Sequence, residues 1–362
     1  MMKVNFLLAF ALLWSASAFA QDSLKVAADT PRKNVVDDSL NKSLISDSTA
    51  KGVGTVIADT AVKSLSITDT TQQSTVAGGD DLMNILGEDA VPEPQKVFAT
   101  FKSTYLISAQ TNETVKRGTL DFRITHRFGD VAGSGGGIHN FYGFDQASNI
   151  RFSFEYGVTD RLQLGFARSK VNEHLDASVK YKFVEQMEGG FPLSIVGYSS
   201  IALTPKRDLN NEFGTFTNRI SYAWQLVATT KVNRELSLGF MPTLVHRNMI
   251  HASVNDNNGA EETNDIFSMG VMGRMKLTPS FAIIAEYFYT FSDYRKNNTA
   301  NPYYMPLGLG VEIETGGHVF QINLTNTSGI IYQDFIPNSS DSWMKGQYKL
   351  GFTISRVFGV VR

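Results

Sequence analysis

The chain of 362 residues contains no cysteine and no apolar run long enough to cross a bilayer as a helix. Without cysteine it cannot carry a disulfide framework, a thiolate metal site, a lipidated cysteine or a covalently attached c-type haem. The longest early apolar run, Val4–Trp14, falls short of the roughly 18 residues expected of a transmembrane helix. The formal net charge of -2 gives no general attraction to nucleic acid or anionic lipid. The order of residues must therefore decide between a soluble and a membrane protein.

Residues 1–20 have the pattern of a secretory signal peptide. Lys3 precedes the apolar run, and the small-residue site Ala18-Phe19-Ala20 follows it. We expect cleavage before Gln21 and export of the remaining chain.

Residues 21–95 are rich in Ser, Thr, Asp and Ala and poor in aromatic residues, which predicts a disordered periplasmic segment. Within it, acidic residues before an apolar face and a glycine after it predict a short helix near residues 80–87. Two interpretations remain open for this helix. It is a transient turn in a tail, or its apolar residues dock on the rest of the protein or on a periplasmic partner. The docking candidates are Leu82, Ile85 and Leu86.

From residue 96 to residue 362 the chain predicts an antiparallel transmembrane β-barrel. Strand-like runs alternate large apolar residues with small or polar ones, as expected for a wall between lipid and a wet lumen. The last run, Tyr348–Phe358, is a clear example. The twelve predicted strands are Thr119–Phe128, Ile150–Gly157, Leu162–Arg168, Leu175–Phe183, Leu193–Leu203, Phe216–Lys231, Leu236–Arg247, Ile266–Leu277, Phe281–Phe291, Leu307–Glu314, Val319–Thr325 and Tyr348–Phe358.

The connections between these runs alternate between short and long, as in outer-membrane barrels with periplasmic turns and external loops. Twelve is an even number, so we expect Thr100–Ala109 to stand outside the regular wall, entering the lumen or pairing irregularly at the seam. An alternative count of fourteen recruits Ile330–Ile336 as a further strand. A soluble β-sandwich is the structural rival, but it would have to bury one face of every run.

Several segments also resemble a known family. They are Leu120–Phe128, Tyr156–Arg161, Met241–Arg247, Ile313–Gln321 and Gly351–Phe358. Together with Asp81–Leu86 and Thr100–Thr104, they are similar to a Bacteroidota family of uncharacterised outer-membrane β-barrels, domain of unknown function 5777. The resemblance implies an outer-membrane location and a barrel fold. It also implies that the terminal aromatic, here Phe358, helps the barrel assembly machinery to recognise the last strand.

The strand register places a set of charged residues on the lumen face. Salt-bridge ladders that fill a narrow barrel are one interpretation, and a passage with some preference for anions is the other. The lumen-lining candidates are Arg123, Arg127, Arg151, Glu155, Lys180, Arg219, Arg274, Glu286, Glu312 and Glu314.

No catalytic motif stands out. No serine lies in a Gly-x-Ser-x-Gly turn, and His126 and His246 fall on the predicted lipid face. We therefore predict that the protein is not an enzyme and holds no cofactor and no metal ion. A barrel-embedded enzyme that hydrolyses lipid or peptide is the least favoured alternative, to be tested at His126 or His174.

The sequence thus favours an outer-membrane transport barrel, a narrow channel or binding barrel for a small polar or anionic solute. The alternative is a non-conducting structural or assembly component of an envelope complex. The expected partners are the lipid bilayer of the outer membrane, the barrel assembly machinery and a periplasmic protein bound through the segment before the barrel. No nucleic acid is expected.

Overall fold

The computed structural model describes residues 95–360, which form a closed antiparallel barrel of twelve strands. The predicted signal peptide, the predicted helix near 80–87 and the docking candidates Leu82, Ile85 and Leu86 lie outside the described residues. Of the predicted disordered segment 21–95, only Gln95 is described.

Fourteen strands occur in the described residues. Two short strands form a hairpin that is separate from the barrel sheet, β1 (Tyr105–Leu106) and β2 (Ala109–Gln110). The barrel wall consists of β3 (Thr119–Asp130), β4 (Ala147–Gly157), β5 (Leu162–Ser169), β6 (Leu175–Val184), β7 (Ser194–Leu203), β8 (Ile220–Lys231), β9 (Leu236–Arg247), β10 (Asp265–Thr278), β11 (Phe281–Phe291), β12 (Leu307–Thr315), β13 (His318–Thr325) and β14 (Lys349–Gly359).

Each wall strand pairs with its neighbours in sequence, and β14 pairs with β3 to close the barrel. The seam runs from Gly359 opposite Thr119 to Lys349 opposite Asp130. Wall strands of 8 to 14 residues bracket the length that a tilted strand needs to span a bilayer. The predicted twelve-strand barrel is confirmed.

Side chains alternate between the two faces of the wall as the sequence pattern predicted. On β4, for example, Phe152 and Phe154 are exposed on the outer face, whereas Arg151, Ser153 and Glu155 are buried on the inner face. Apolar side chains outside and polar ones inside are the arrangement expected of a strand that separates lipid from the lumen.

One end of the barrel carries short connections and the other carries long loops. At the short-turn end, two residues join β10 to β11 and two join β12 to β13. At the long-loop end, the connection between β13 and β14 spans residues 326–348 and contains the helix α1 (Tyr332–Phe335). Within residues 95–360, no helix has the length and apolar character to cross a membrane.

Two sequence predictions need correction. The fourteen-strand alternative is wrong, because Ile330–Ile336 contains α1 and is buried within the barrel. The predicted strand Phe216–Lys231 begins four residues too early, because Thr217–Arg219 forms a 3-10 turn before β8. Arg219 stacks on the Phe213 ring at 4.2 Å, and this loop contact holds it outside the strand ladder.

Two segments of the chain occupy the lumen. Residues 99–115, here called the hairpin plug, contain β1 and β2 and enter the lumen from the short-turn end. Residues 327–342, here called the loop plug, descend from the long-loop end. Both are almost entirely buried, and their apolar residues form one cluster with the inner wall. The expectation that Thr100–Ala109 leaves the wall and enters the lumen is confirmed.

Candidate functional site in the occupied lumen

The inner face of the barrel is divided into a polar side and an apolar side. The polar side, on β3–β6 and β12–β14, carries most of the buried charged and amide residues, although Gln225, Arg274 and Glu286 lie on the other side. The apolar side is on β7–β11. Its buried apolar residues are Val196, Tyr198, Ala202, Ala223, Val227, Met241, Val245, Ile266, Met272, Ala282, Ile284 and Phe288. Water cannot solvate such a surface favourably, so the apolar side requires something apolar packed against it.

The hairpin plug is fixed at the short-turn end before it enters the lumen. Lys96 forms an isolated β-bridge with Met187, and its ammonium lies 2.6 Å from the Glu185 carboxylate. The returning chain is fixed by Arg117, which bridges to Gly157 on β4. Both ends of the plug are therefore held at the same opening.

The tip of the hairpin plug packs tightly against β12. Ile107 adopts a positive φ of 42° at this tip. A Cβ added at Gly308 would lie 3.1 Å from the Ile107 Cδ1 atom and 3.1 Å from the Glu286 Cγ atom. Glycine at position 308 thus permits the close approach of the plug to the wall.

The loop plug covers the apolar side with aromatic side chains. The ring of Phe335 lies 5.1 Å from that of Phe288 in an edge-to-face arrangement, and the ring of Tyr332 lies 5.9 Å from that of Tyr198. Edge-to-face pairs at these separations are favourable beyond the area that they bury. The loop plug therefore supplies the apolar partner that the wall requires.

The two plugs meet at the hydroxyl of Tyr332. The backbone N–H of Gln110, in the hairpin plug, donates to this oxygen at 2.8 Å. The hydroxyl in turn donates to Gln225 Oε1 on β8 at 2.9 Å. One side chain of the loop plug thus connects the hairpin plug to the wall.

Several buried charges of the wall form ion pairs within the wall itself. Arg151 on β4 makes a two-point contact with Asp176 on β6, with Nη2 2.7 Å from Oδ2. Arg274 on β10 lies 2.7 Å from Glu312 on β12. Arg123 pairs with Asp121 on the same strand at 2.8 Å and also donates to Ser103 and Thr104 of the hairpin plug.

Four other buried wall charges make no ion pair within the described part of the chain, and all four hold the plugs. We call them the clamp residues: Arg127, Glu155, Lys180 and Glu286, which are 1%, 2%, 1% and 5% exposed. A buried charge without a counter-charge is costly unless hydrogen bonds satisfy it. Here the plugs supply those hydrogen bonds.

The two acidic clamps accept hydrogen bonds from the hairpin plug. Glu286 receives the backbone N–H of Ser108 at 2.9 Å and that of Ala109 at 2.9 Å. Glu155 receives the Thr104 hydroxyl at 2.7 Å. The acids therefore hold the plug at its tip and on its first arm.

The two basic clamps donate to oxygens of the plugs. Lys180 Nζ lies 3.0 Å from the Thr104 carbonyl. Arg127 Nη1 donates to the Thr327 carbonyl at 2.9 Å, to the Thr327 hydroxyl at 2.8 Å and to the Gly329 carbonyl. Arg127 Nη2 donates to the Ser108 hydroxyl at 2.5 Å. Arg127 is thus a wall residue that holds both plugs.

The loop plug is also fixed at the long-loop end. Asp334 lies 2.9 Å from His174 Nε2, and His174 Nδ1 lies 3.1 Å from the Thr204 hydroxyl. The order hydroxyl, imidazole, carboxylate is that of a hydrolase triad. However, all three side chains are buried beneath the loops, so a substrate could not reach the hydroxyl in this state. We interpret this row of three hydrogen-bonded side chains as an anchor of the loop plug.

Eight of the ten lumen-lining candidates are buried on the inner face, namely Arg123, Arg127, Arg151, Glu155, Lys180, Arg274, Glu286 and Glu312. The other two are less buried, and only Arg219 lies outside the strand ladder. Arg219 donates to the Thr204 and Lys206 carbonyls and so braces an outer loop. Glu314 is half-buried and pairs with Lys102 of the hairpin plug. Among residues 95–360, no cluster of histidine and acidic side chains has an arrangement that could hold a metal ion.

Sequence reasoning missed the residues of the plugs that engage the wall, above all Ser108, Gln110 and Tyr332. A signal for them was present in β7–β11. On these strands both faces carry apolar residues, whereas a water-filled lumen would require one polar face. Apolar residues on the inner face indicate that another segment fills the barrel.

A family model described as "Membrane bound beta barrel domain (DUF5777)" matches residues 101–358. The match covers the loop plug, the hairpin plug except its first two residues, and the twelve wall strands except the last residue of β14. The restriction of the family to Bacteroidota stays a prediction. Among curated proteins, none matches this chain.

Solved structures of membrane barrels are similar to the chain at low identity. The NanC porin is 11% identical with a TM-score of 0.40, covering 67% of this chain and 100% of its own. The KdgM porin is 9% identical with a TM-score of 0.39, covering 66% of this chain and 99% of its own. An outer membrane channel from Pseudomonas putida F1 is 14% identical with a TM-score of 0.38, covering 68% of this chain and 98% of its own.

Proposed function

Because this chain belongs to the DUF5777 family of membrane-bound β-barrel domains, we propose that it is a gated channel of the outer membrane for small polar or anionic solutes. The short-turn end faces the periplasm, and the long-loop end faces outward. In the closed state described here, the hairpin plug and the loop plug fill the lumen. The protein is not an enzyme.

The observation that carries this proposal is that some buried charges of the wall pair with each other, whereas others bind the plugs. Wall-internal ion pairs such as Arg151–Asp176 keep their partners whether or not the plugs are present. Within residues 95–360, the clamp side chains make hydrogen bonds only to atoms of the plugs. When a plug withdraws, these charges face water and solutes, as the lining of a conducting pore must.

Closure by the loop plug can be tested with a disulfide, because the chain contains no native cysteine. The hydroxyls of Ser148 on β4 and Ser328 in the loop plug are 2.7 Å apart. The double substitution Ser148→Cys and Ser328→Cys should therefore form a disulfide that fixes the loop plug to the wall. In planar bilayers, the wild-type protein should open intermittently, the oxidised variant should stay closed, and reduction should restore openings.

A matched control joins two wall strands without involving either plug. Thr125 on β3 and Thr353 on β14 are directly paired, with hydroxyls 3.3 Å apart. Oxidation of the corresponding double cysteine variant should leave openings unchanged. Openings that persist in the oxidised Ser148/Ser328 variant would show that the loop plug is not the gate.

The alternative is a barrel that never conducts and serves as a structural component of the envelope. The occupied lumen is the observation that favours it. A complete lack of current, in the wild-type protein and in variants that loosen the plugs, would support this alternative and exclude the channel.

A further inference from the structure

Arg127 differs from the other buried arginines of the barrel in the kind of acceptor that it binds. Arg123, Arg151 and Arg274 each contact a carboxylate. Arg127 donates only to carbonyl and hydroxyl oxygens, all of them in the two plugs, and makes no ion pair within residues 95–360. Its Nε atom has no hydrogen-bond partner in the described structure.

The acceptors that Arg127 now holds are weaker than the ones a guanidinium prefers. Hydrogen bonds from Arg to an anionic oxygen are roughly twice as strong as bonds between neutral groups, and a carboxylate or phosphate can accept two at once. An oxyanion that reached Arg127 would therefore compete effectively with the Thr327 and Gly329 carbonyls. The unpaired Nε offers it a further donor.

Because of the position of Arg127, an oxyanion that displaced its present acceptors would release the start of the loop plug. Arg127 lies near the long-loop end of β3, opposite Gly351 and Asn149 on the neighbouring strands. Its contacts with Thr327 and Gly329 hold the first residues of the loop plug, where that plug enters the lumen. Loss of these contacts frees the segment that leads into α1.

We propose that Arg127 is the recognition site for a small solute bearing a carboxylate or phosphate group, and that binding of this group displaces the loop plug. The inference rests on the proposed channel function, for which it names the class of solute. Lys180, the second basic clamp, lies deeper on β6 and offers the next cationic group once the plugs move.

The test uses a single cysteine as a reporter of loop-plug release. Ser339, in the loop plug, is buried, and its replacement by cysteine is nearly isosteric. We expect the maleimide labelling rate of the full-length Ser339→Cys protein to rise by roughly tenfold in succinate or phosphate relative to chloride at equal ionic strength, a change equivalent to about 1.4 kcal/mol. Comparison of succinate with phosphate then identifies the preferred oxyanion.

Two matched substitutions separate recognition at Arg127 from a general effect of anions. In the Ser339→Cys background, Arg127→Lys keeps the charge but removes the planar fork, so the response to oxyanions should be lost. Arg274→Lys alters a buried arginine that already has a carboxylate partner, so the response should persist. The proposal would be overturned if the labelling rate did not change with oxyanions. It would also be overturned if the Arg127→Lys protein responded to oxyanions as strongly as the protein with Ser339→Cys alone.

The labelling assay and the conductance assay report different failures. Oxyanion-dependent labelling without any current would refute the channel while leaving the recognition site at Arg127 intact. Current without oxyanion-dependent labelling would refute the recognition site alone.

Discussion

Replacement of Glu286 by glutamine should increase the open probability of the barrel. The Glu286 carboxylate receives the backbone N–H groups of Ser108 and Ala109, and within residues 95–360 it makes no ion pair. A glutamine has nearly the same shape but only one acceptor oxygen, and its amide donor would face a backbone donor. The hairpin plug would therefore lose part of its attachment without losing any apolar contact.

The size of the effect follows from the hydrogen bonds that change. Two bonds to the charged Oε2 atom contribute about 3 to 6 kcal/mol, whereas the same two bonds to the neutral oxygen of glutamine contribute about 1 to 3 kcal/mol. The amide nitrogen in place of Oε1 repels the Ser108 N–H, which lies 3.1 Å from that oxygen in the wild-type protein. Removal of a buried charge offsets about 1 to 3 kcal/mol of this loss, because the neutral side chain costs less to bury under the plug. The net weakening is on the order of 1 to 2 kcal/mol, which corresponds to roughly a tenfold rise in the ratio of open to closed protein.

Single-channel recording in planar bilayers measures this ratio directly. The matched control is Glu312→Gln, on the adjacent strand. Glu312 is equally buried, but it binds Arg274 and Gln321 of the wall and neither plug. The reasoning would be refuted if Glu286→Gln opened no more often than the wild-type protein, or if Glu312→Gln opened as often as Glu286→Gln.

Three further predictions concern the same plugs. Gly308→Leu should dislodge the hairpin plug and raise conductance, because a Cβ at this position already crowds its tip at 3.1 Å, whereas Gly273→Leu on the lipid face should have no effect. Tyr332→Phe removes the hydroxyl oxygen that joins the two plugs. Hydrogen exchange at the Gln110 backbone amide, which now donates to that oxygen, should therefore accelerate by roughly tenfold through the loss of one buried hydrogen bond. The pKa of Glu185 lies below its ordinary value of 4.5, since burial, which opposes ionisation, is outweighed by the hydrogen bond from Lys96 and by nearby basic residues. The contact with Lys96 is therefore complete above pH 4.5 and is lost as the pH falls below that value, so proteolysis of residues 95–98 should accelerate there in the wild-type protein but show no such pH dependence in Glu185→Gln.

Much of the wall was predictable because lipid and water impose a strict alternation on every strand. The bounds of β9 and β11 agree with the sequence prediction at both ends. The inward orientation of Arg123, Arg151 and Glu286 follows from the same alternation. A period of two residues suffices to assign a side chain to one face, so no knowledge of the loops was needed.

The contents of the lumen were not predictable to the same degree. Whether Glu286 meets a wall cation or a plug backbone depends on where residues 99–115 fold back, and no periodic pattern encodes that path. The apolar run Ile330–Ile336 fitted a strand as well as a helical turn, because short apolar runs do not distinguish the two. The aromatic surface around Phe288 inside the barrel favours the helical turn, because it provides a packing site for α1.

The order of segments along the chain constrains how the protein assembles. The loop plug is the connection between β13 and β14, and β14 is the strand that completes the seam with β3. The hairpin plug immediately precedes β3, so each strand of the seam is joined directly to a plug. The two strands that complete the circle are thus the two that carry the segments filling the lumen, so closure of the wall and filling of the lumen are linked by chain connectivity.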